Sequence, residues 1–143
     1  MMISTKGRYA LRVMIDIAEH QHDGYIPLKE IAARQEISEK YLEAIVKSLV
    51  KERYLTGLRG KSGGYRLTKA PEEYTVGSIL RLSEGSLAPV ACLEQEPIEC
   101  PRMAQCRTLP MWRKLNALVQ DYLDGVTLAD LTAEAQSADH YVI

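Results

Sequence analysis

The stretch SEKYLEAIVKSLVKERYLTGLRGKSGGYRL, residues 38–67, decides the fold of this chain. Its first half predicts a helix, because apolar residues recur at positions i, i+3, i+4, i+7 and i+8 and form one stripe. Ser38 is a good N-cap for that helix. The buried stripe is predicted to comprise Leu42, Ile45, Val46, Leu49 and Val50. The opposite face carries Lys40, Glu43, Ala44, Lys47 and Lys51.

The second half of the stretch predicts a β-hairpin, since two short runs of strand-forming residues flank a glycine-rich turn. The turn is Gly60-Lys61-Ser62-Gly63-Gly64, and the basic side chains at the tip are Arg59, Lys61 and Arg66. Glycine allows the positive φ that such a turn needs, and it allows the backbone to approach a ligand closely.

Two further helices precede this stretch. Apolar residues at helical spacing predict a first helix from Ser4 to His20, and Pro27 is suited to the first turn of a short second helix. The second helix and the helix that follows Ser38 are joined by the tight turn 35–37 and form a helix-turn-helix, in which the helix after Ser38 is the recognition helix. A hairpin directly after the recognition helix makes the module a winged helix. The predicted fold class is therefore mainly α, a winged helix-turn-helix with a small β-hairpin wing.

The second half of the chain predicts a helix from Thr75 to Ser83, an irregular stretch at 85–108, a long helix starting near Leu109, and a short helix from Thr127 to Ala135. Residues along the long helix are spaced 3, 4, 3 and 4 apart, which indicates a coiled-coil-like dimer seam or packing on its own domain. This seam comprises Trp112, Leu115, Val119, Tyr122 and Val126. We expect a DNA-binding domain at 1–70, a connecting helix and cysteine loop at 71–108, and a dimerisation helix and tail at 109–143.

The three cysteines, Cys92, Cys100 and Cys106, lie within fifteen residues in the irregular stretch. Thiolates clustered in polar sequence suggest a shared ligand, an iron–sulfur cluster or a metal ion. A zinc site fits the seven- and five-residue gaps poorly, because zinc cysteines are commonly paired at C-x₂₋₄-C spacing. Two other interpretations remain. The cysteines could form a redox thiol switch, with Arg102 and Arg107 lowering a thiol pKa, or all three could be purely structural.

Charge is distributed unevenly along the chain. Residues 1–70 hold 13 Lys and Arg against 8 Asp and Glu, whereas residues 71–143 hold 5 against 11. A basic N-terminal half is typical of a protein that binds the phosphate backbone of nucleic acid. The sequence has no apolar run long enough to span a bilayer and no apolar leader at its start. An odd number of cysteines then indicates a reducing compartment, so we expect a cytoplasmic protein that has no membrane partner.

Three motifs resemble the start, the recognition helix and the wing of the IscR/NsrR/CymR family of bacterial winged-helix transcription factors. They are Ile3-Ser4-Thr5-Lys6-Gly7-Arg8-Tyr9-Ala10-Leu11, Ile37-Ser38-x-x-Tyr41-Leu42-Glu43 and Arg59-Gly60-x-x-Gly63-Gly64-Tyr65. Within this family the cysteines resemble those of the IscR-type iron–sulfur regulators. The resemblance implies a homodimer that binds a near-palindromic promoter, with Cys92, Cys100 and Cys106 as ligands of a cluster, 2Fe–2S ahead of 4Fe–4S. It also implies control of genes for iron–sulfur cluster assembly.

One position departs from the family. IscR-type proteins carry a histidine three residues after the last cysteine, and Leu109 stands there in this chain. A leucine cannot ligate iron, so another group must complete the ligand set. The candidates are the carboxylates of Glu94, Glu96 and Glu99 and the imidazoles of His20, His22 and His140.

The predicted DNA contacts divide by chemistry. Lysines of the recognition helix reach phosphates, which gives affinity without sequence information. A carboxylate facing DNA needs a donor, and the cytosine N4 amino group in the major groove supplies one for Glu43. An intrahelical pair with Lys47 is the alternative role for Glu43. The predicted DNA-binding residues are Ser38, Lys40, Tyr41, Glu43, Lys47, Arg59, Gly60 and Lys61.

These observations favour a DNA-binding repressor whose affinity for DNA changes when its iron–sulfur cluster is bound or lost. A CymR-like regulator of cysteine metabolism without a metal, and an NsrR-like regulator that senses nitric oxide or redox state, are alternatives on the same scaffold. A small thiol or iron–sulfur oxidoreductase is the enzyme hypothesis. The chain lacks a Cys-x-x-Cys pair, a nucleotide-binding loop and a His/Asp/Ser constellation, so we expect no enzyme. A structural interaction module would not need the basic, glycine-rich wing.

Overall fold

The computed structural model describes residues 2–22, 24–95 and 97–139. The helices are α1 (Thr5–His20), α2 (Leu28–Gln35), α3 (Glu39–Lys51), α4 (Val76–Glu84), α5 (Leu109–Asp124) and α6 (Ala133–Asp139). Strands β1 (Leu55–Leu58) and β2 (Gly64–Leu67) form an antiparallel hairpin in which Leu55 pairs with Leu67 and Leu58 with Gly64. The mainly α, winged helix-turn-helix fold predicted from the sequence is confirmed.

The helix starts follow from capping side chains. Ser4, Ser38 and Thr75 precede α1, α3 and α4, and each accepts a hydrogen bond from the backbone N–H three residues later. Such a cap satisfies one of the donors that the first turn of a helix leaves without a partner. The sequence prediction of Ser38 as an N-cap is thus confirmed.

One core joins the two halves of the chain. Helices α1, α2 and α3 pack through fully buried side chains such as Met14, Ile31 and Leu42. Ile79 of α4 and Leu128, which follows α5, belong to the same apolar cluster. Backbone hydrogen bonds hold this return, since Val76 donates to Val126 and Leu128 donates to Tyr74. The C-terminal end of the long helix is therefore fixed to the N-terminal helices, through α4 and through residues 126–128.

The helix predicted from Thr127 to Ala135 differs in the structure. A 3₁₀ turn at Ala129–Leu131 ends before Thr132, whose backbone is extended, and α6 begins only at Ala133. The side chains of Thr127 and Asp130 close the turn, because each accepts a hydrogen bond from the other's backbone N–H, at 3.2 and 2.9 Å. Local side-chain bonds of this kind compete with a continuous helix.

Candidate nucleic-acid interface and cysteine loop

The outer face of α3 and the hairpin enclose one groove. Glu43 and Lys47 line it from the helix, and Arg59 and Gly60 line it from the wing. All four residues are exposed. The structure thus brings together four of the eight residues that the sequence predicts to bind DNA. Lys61 lies next to Gly60, exposed at the hairpin tip.

The position of the wing depends on a close backbone approach. Tyr65 of β2 and Ile26 exchange two backbone hydrogen bonds of 2.8 Å, which join the hairpin to the segment before α2. Gly64 has φ +147°, and a Cβ at this position would lie 2.2 Å from the carbonyl oxygen of Ile26. A side chain at residue 64 would therefore push the wing away from the helix-turn-helix.

The start of α3 forms a second part of the predicted DNA-binding surface, beside the groove of α3 and the wing. Ser38, Lys40 and Tyr41 line a shallow cavity together with Lys6 from the first turn of α1. The Ser38 hydroxyl accepts a hydrogen bond of 3.1 Å from the Tyr41 backbone N–H. Sequence analysis did not include Lys6 among the DNA contacts. Its only signal in the sequence is a basic residue within the first motif, and its proximity to α3 depends on how α1 crosses that helix.

Tyr41 has a double environment. Its side chain is 43% exposed, yet its ring meets that of Tyr9 on α1 edge to face, with centroids 5.5 Å apart. An aromatic pair of this geometry restricts the ring without burying it. Tyr41 therefore stays partly accessible at the cavity that it lines with Lys6 and Lys40, while its ring packs α3 against α1.

Glu43 makes no ion pair with Lys47 in the described part of the chain; the ion pairs found there lie elsewhere. The intrahelical pair considered as the alternative role for Glu43 is thus absent. Both side chains point into the groove of α3 and the wing, where a carboxylate is left for a donor outside the protein.

Helix α2 is held to α1 by a buried carboxylate. Asp16 is fully buried, and Arg34 donates to both of its oxygens, at 3.0 and 2.7 Å. Gln35 adds a third hydrogen bond of 2.8 Å. The hydrogen bond to Asp16 raises the pKa of Arg34 above its ordinary value. A buried charge that is satisfied in this way fixes one relative placement of the two helices.

The cysteine loop (residues 85–108) connects α4 to α5. Cys92 and Cys106 are half-buried, Cys100 is exposed, and all three are free thiols. Two short 3₁₀ turns, Ala91–Leu93 and Met103–Gln105, are its regular elements among the described residues. Among those same residues, no three His, Cys, Asp or Glu side chains are arranged to hold a metal ion. The donors fit an iron–sulfur cluster by their chemistry, three free thiols in one loop.

Cys106 is the thiol with a distinct environment. Its sulfur lies 3.4 Å from the Thr108 hydroxyl. Hydrogen bonding to Thr108 lowers the pKa of the Cys106 thiol, and the positive charge of Arg102 acts in the same direction. A thiol with a lowered pKa is more often the thiolate that binds iron or reacts with an oxidant.

The candidate fourth ligands are scattered. Leu109, at the position where IscR-type proteins carry a histidine, is buried at the start of α5. Glu94 and Glu99 are exposed carboxylates of the cysteine loop itself. His20 and His22 instead line a cavity with Glu72 and Glu134. Glu96 and His140 lie outside the described residues.

Helix α5 carries an apolar stripe that faces away from its own domain. The stripe consists of Met111, Leu115, Leu118 and Tyr122, exposed by 53, 38, 59 and 71%. Its spacing of 4, 3 and 4 is that of a coiled-coil seam. The predicted seam shares Leu115 and Tyr122 with it, whereas Trp112 and Val119 are half-buried and Val126 follows the end of the helix. In the part of the chain that is described, no helix is long and apolar enough to cross a membrane.

Comparison with known proteins identifies the family. Residues 3–134 match Rrf2, described as an iron-dependent transcriptional regulator. The chain belongs to the Rrf2 family. It is 40% identical over 135 residues to protein rrf2 of Nitratidesulfovibrio vulgaris, which covers 94% of this chain and 89% of that protein. It is 37% identical over 131 residues to the HTH-type transcriptional regulator IscR of Erwinia tasmaniensis, covering 92% and 78%.

Solved structures agree with this membership. CymR, the global cysteine regulator of B. subtilis, superimposes with a TM-score of 0.77 at 36% identity, covering 94% of this chain and 98% of CymR. IscR of T. potens gives a TM-score of 0.73 at 35% identity, covering 96% and 90%. The predicted resemblance is confirmed, and this Rrf2-family chain is a DNA-binding transcriptional regulator similar to IscR.

Proposed function

We propose that this Rrf2-family regulator is a homodimeric repressor that binds a near-palindromic promoter site and senses iron–sulfur cluster status through Cys92, Cys100 and Cys106. Its targets would be genes for iron–sulfur cluster biogenesis. The proposal rests on a single observation: three free thiols occupy one loop, between α4 and α5, in a chain similar to IscR.

DNA recognition is assigned to the groove between α3 and the wing. Lys40 and Lys47 neutralise phosphates, and Arg59, Gly60 and Lys61 place the wing at the adjacent minor groove, where a narrow A·T-rich tract attracts arginine. Glu43 accepts a hydrogen bond from a base edge in the major groove. Ser38 and Tyr41 add backbone contacts at the N-terminus of α3.

Dimerisation is assigned to the exposed stripe of α5. Two copies of Met111, Leu115, Leu118 and Tyr122 packed against each other remove these apolar side chains from water. The dimer then presents two α3 helices to successive major grooves, so the spacing of the half-sites is set by α5.

The three cysteines supply thiolates to a cluster, with 2Fe–2S favoured over 4Fe–4S. When bound, an iron–sulfur cluster supplies a cofactor whose presence depends on iron, oxidants and cluster supply. Because Leu109 replaces the histidine of IscR-type proteins, we assign the fourth position to a carboxylate of the same loop, Glu94 or Glu99. These carboxylates lie in the segment that must rearrange to gather the three thiols.

The test combines composition and binding. The chain is purified without oxygen, its iron, sulfide and visible absorption are measured, and it is compared with the stripped form in gel shifts on a duplex selected from a random-sequence library. We expect a coloured protein, iron and sulfide in equal amounts, and different affinities of the two forms. A colourless protein without iron and sulfide, or identical binding by the two forms, would refute the proposal. A variant with serine in place of Cys106 serves as the control that cannot be fully loaded.

A CymR-like regulator of cysteine metabolism is the second candidate, favoured by the superposition on the B. subtilis global cysteine regulator. It needs no metal and predicts a colourless protein whose DNA affinity is insensitive to iron. A nitric-oxide or redox sensor of the NsrR type predicts the coloured protein and differs in the reagent that releases DNA.

A further inference from the structure

The last residue of α4 binds the first turn of α1. Glu84 Oε1 accepts hydrogen bonds from the backbone N–H of Ser4, at 3.0 Å, and from its hydroxyl, at 2.6 Å. The same Ser4 hydroxyl accepts a hydrogen bond of 3.2 Å from the backbone N–H of Gly7 and so caps α1. One carboxylate therefore sets the position of the residue that caps the first helix. We refer to this pair as the Glu84–Ser4 contact.

The negative charge of the Glu84 carboxylate is stabilised by the N-terminus of α1 and not by α4, the helix to which Glu84 belongs. A carboxylate at the C-terminus of α4 is disfavoured by the dipole of that helix, whereas the N-terminus of α1 favours it. The approach also depends on Gly7, because a Cβ at this buried position would lie 2.3 Å from Glu84 Oε1. Three residues from two distant segments thus specify this contact.

Both sides of the Glu84–Ser4 contact lead to functional regions. On one side Gly85, with φ +81°, follows Glu84 directly and starts the cysteine loop. On the other side, the first two turns of α1 carry Lys6, which lines the cavity at the start of α3, and Tyr9, which packs edge to face on Tyr41. The start of the cysteine loop at Gly85 is therefore joined to α3 within one protomer, through the Glu84–Ser4 contact and the first two turns of α1.

We infer that Glu84 is a positioning residue that couples the cysteine loop to DNA recognition by setting the start of α1. This inference rests on the proposed function. When the loop rearranges around its ligand, the backbone at Gly85 moves the Glu84 carboxylate relative to Ser4. The start of α1 shifts with it. This moves Lys6, and also the Tyr9 ring that packs against Tyr41. Coupling of two sites requires such an element with two arrangements, biased by both ligands.

The test measures the ratio of DNA affinities of the iron-loaded and stripped forms for wild type, Glu84→Ala, Glu84→Gln and Ser4→Ala. Allosteric ratios are typically about 5- to 150-fold. We expect Glu84→Ala and Ser4→Ala to bring the ratio close to 1 and Glu84→Gln, which keeps an acceptor oxygen, to restore most of it. Glu72→Ala removes an exposed carboxylate elsewhere and should keep the wild-type ratio. A wild-type ratio in both Glu84→Ala and Ser4→Ala would overturn the inference.

A second readout does not depend on the cofactor. In the stripped protein, hydrogen exchange of the backbone amides is compared between wild type and Glu84→Ala. We expect faster exchange both in the first two turns of α1 and at the start of α3, around Tyr41. Faster exchange confined to α1 would overturn the inference, because the contact would then cap only its own helix. If wild type itself binds DNA equally in both forms, the proposed function fails, and this measurement still decides whether Glu84 reaches the recognition helix.

Discussion

Arg34 of α2 donates two hydrogen bonds, of 3.0 and 2.7 Å, to the fully buried carboxylate of Asp16 on α1. The pair fixes a helix that supports α3, since α2 packs against both α1 and α3. Arg12 binds the side chain and the backbone carbonyl of Gln35, which itself donates to Asp16. The orientation of the DNA-binding face therefore depends on a polar network in an otherwise apolar core.

Removing Arg34 should destabilise the fold. Arg34→Ala leaves the Asp16 carboxylate buried with one charged partner fewer, and we expect the free energy of unfolding to fall by about 2–4 kcal/mol. Urea denaturation followed by circular dichroism measures this. Glu30→Ala is the matched control, because Glu30 lies 3.9 Å from the same guanidinium but is 59% exposed. Its effect should stay below about 0.5 kcal/mol, and equal losses in the two variants would contradict the role given to Asp16.

Acid should weaken the attachment of α5 to α4. Arg81 donates hydrogen bonds of 2.8 Å to both oxygens of Asp124, and these hold the pKa of Asp124 below its ordinary value of 3.8. A carboxyl with a lowered pKa in the folded state stabilises the fold above its ordinary pKa, and this contribution is lost as the pH falls through the folded value. Both side chains are more than one-third exposed, so solvent screening keeps the effect small.

We therefore expect Asp124→Asn to unfold at a lower urea concentration than wild type near neutral pH, and the difference to shrink as the pH is lowered below 3.8. Asp121→Asn, on an exposed part of the same helix, is the control. A difference between wild type and Asp124→Asn that stays constant down to acid pH would mean that the carboxylate charge contributes nothing.

Replacing Glu43 and replacing Lys47 should affect DNA binding differently, the first its sequence specificity and the second its affinity for all sequences. Glu43→Ala removes an acceptor for a base edge, so we expect binding to a selected site and to random duplexes to become more alike, with little loss on random DNA. Lys47→Ala removes a phosphate contact and should weaken binding to all sequences, with the salt slope reduced by about 1. Fluorescence anisotropy at several salt concentrations separates the two. Equal losses on specific and random duplexes for Glu43→Ala would show that it reads no base.

The exposed stripe of α5 should control assembly. Leu118→Glu combined with Tyr122→Glu places charges in the C-terminal half of the stripe, and we expect a folded monomer with roughly tenfold or more weaker binding to a two-half-site duplex, because the two half-sites are then no longer bound together. Sedimentation velocity reports the mass, and circular dichroism reports the fold. Ala117→Glu adds a charge to an exposed position of α5 outside the stripe and should leave the dimer intact. Wild-type assembly in the double variant would place the interface elsewhere.

Thr108 should tune the reactivity of Cys106. In a Cys92→Ser/Cys100→Ser background without iron, Thr108→Val removes the hydroxyl that lowers the pKa of the Cys106 thiol. Less thiolate is then present at neutral pH, so alkylation by iodoacetamide should slow and its rate should rise at a higher pH than in the parent. Thr132→Val, far along the chain, is the control. Identical pH–rate profiles in parent and Thr108→Val would exclude the hydrogen bond as the cause.

The local sequence determined the winged helix-turn-helix. The cap Ser38 and the apolar stripe of α3 lie where the chain predicts them, because capping and amphipathic spacing act over a few residues. The basic outer face of α3 and the glycine-rich wing were predicted for the same reason. These signals need no knowledge of what packs where.

Only the tertiary structure decided which face of α5 is free. The heptad spacing in the sequence fits two neighbouring stripes, and the choice between them is made by Arg81 on α4, which binds Gln120 and Asp124 and turns Leu123 toward the core. Likewise, the proximity of Glu84 to Ser4 and of Lys6 to α3 depends on how α1 crosses the other helices. Such contacts join residues far apart in the chain, so their energies leave no periodic trace in the sequence and exist only once the core has packed.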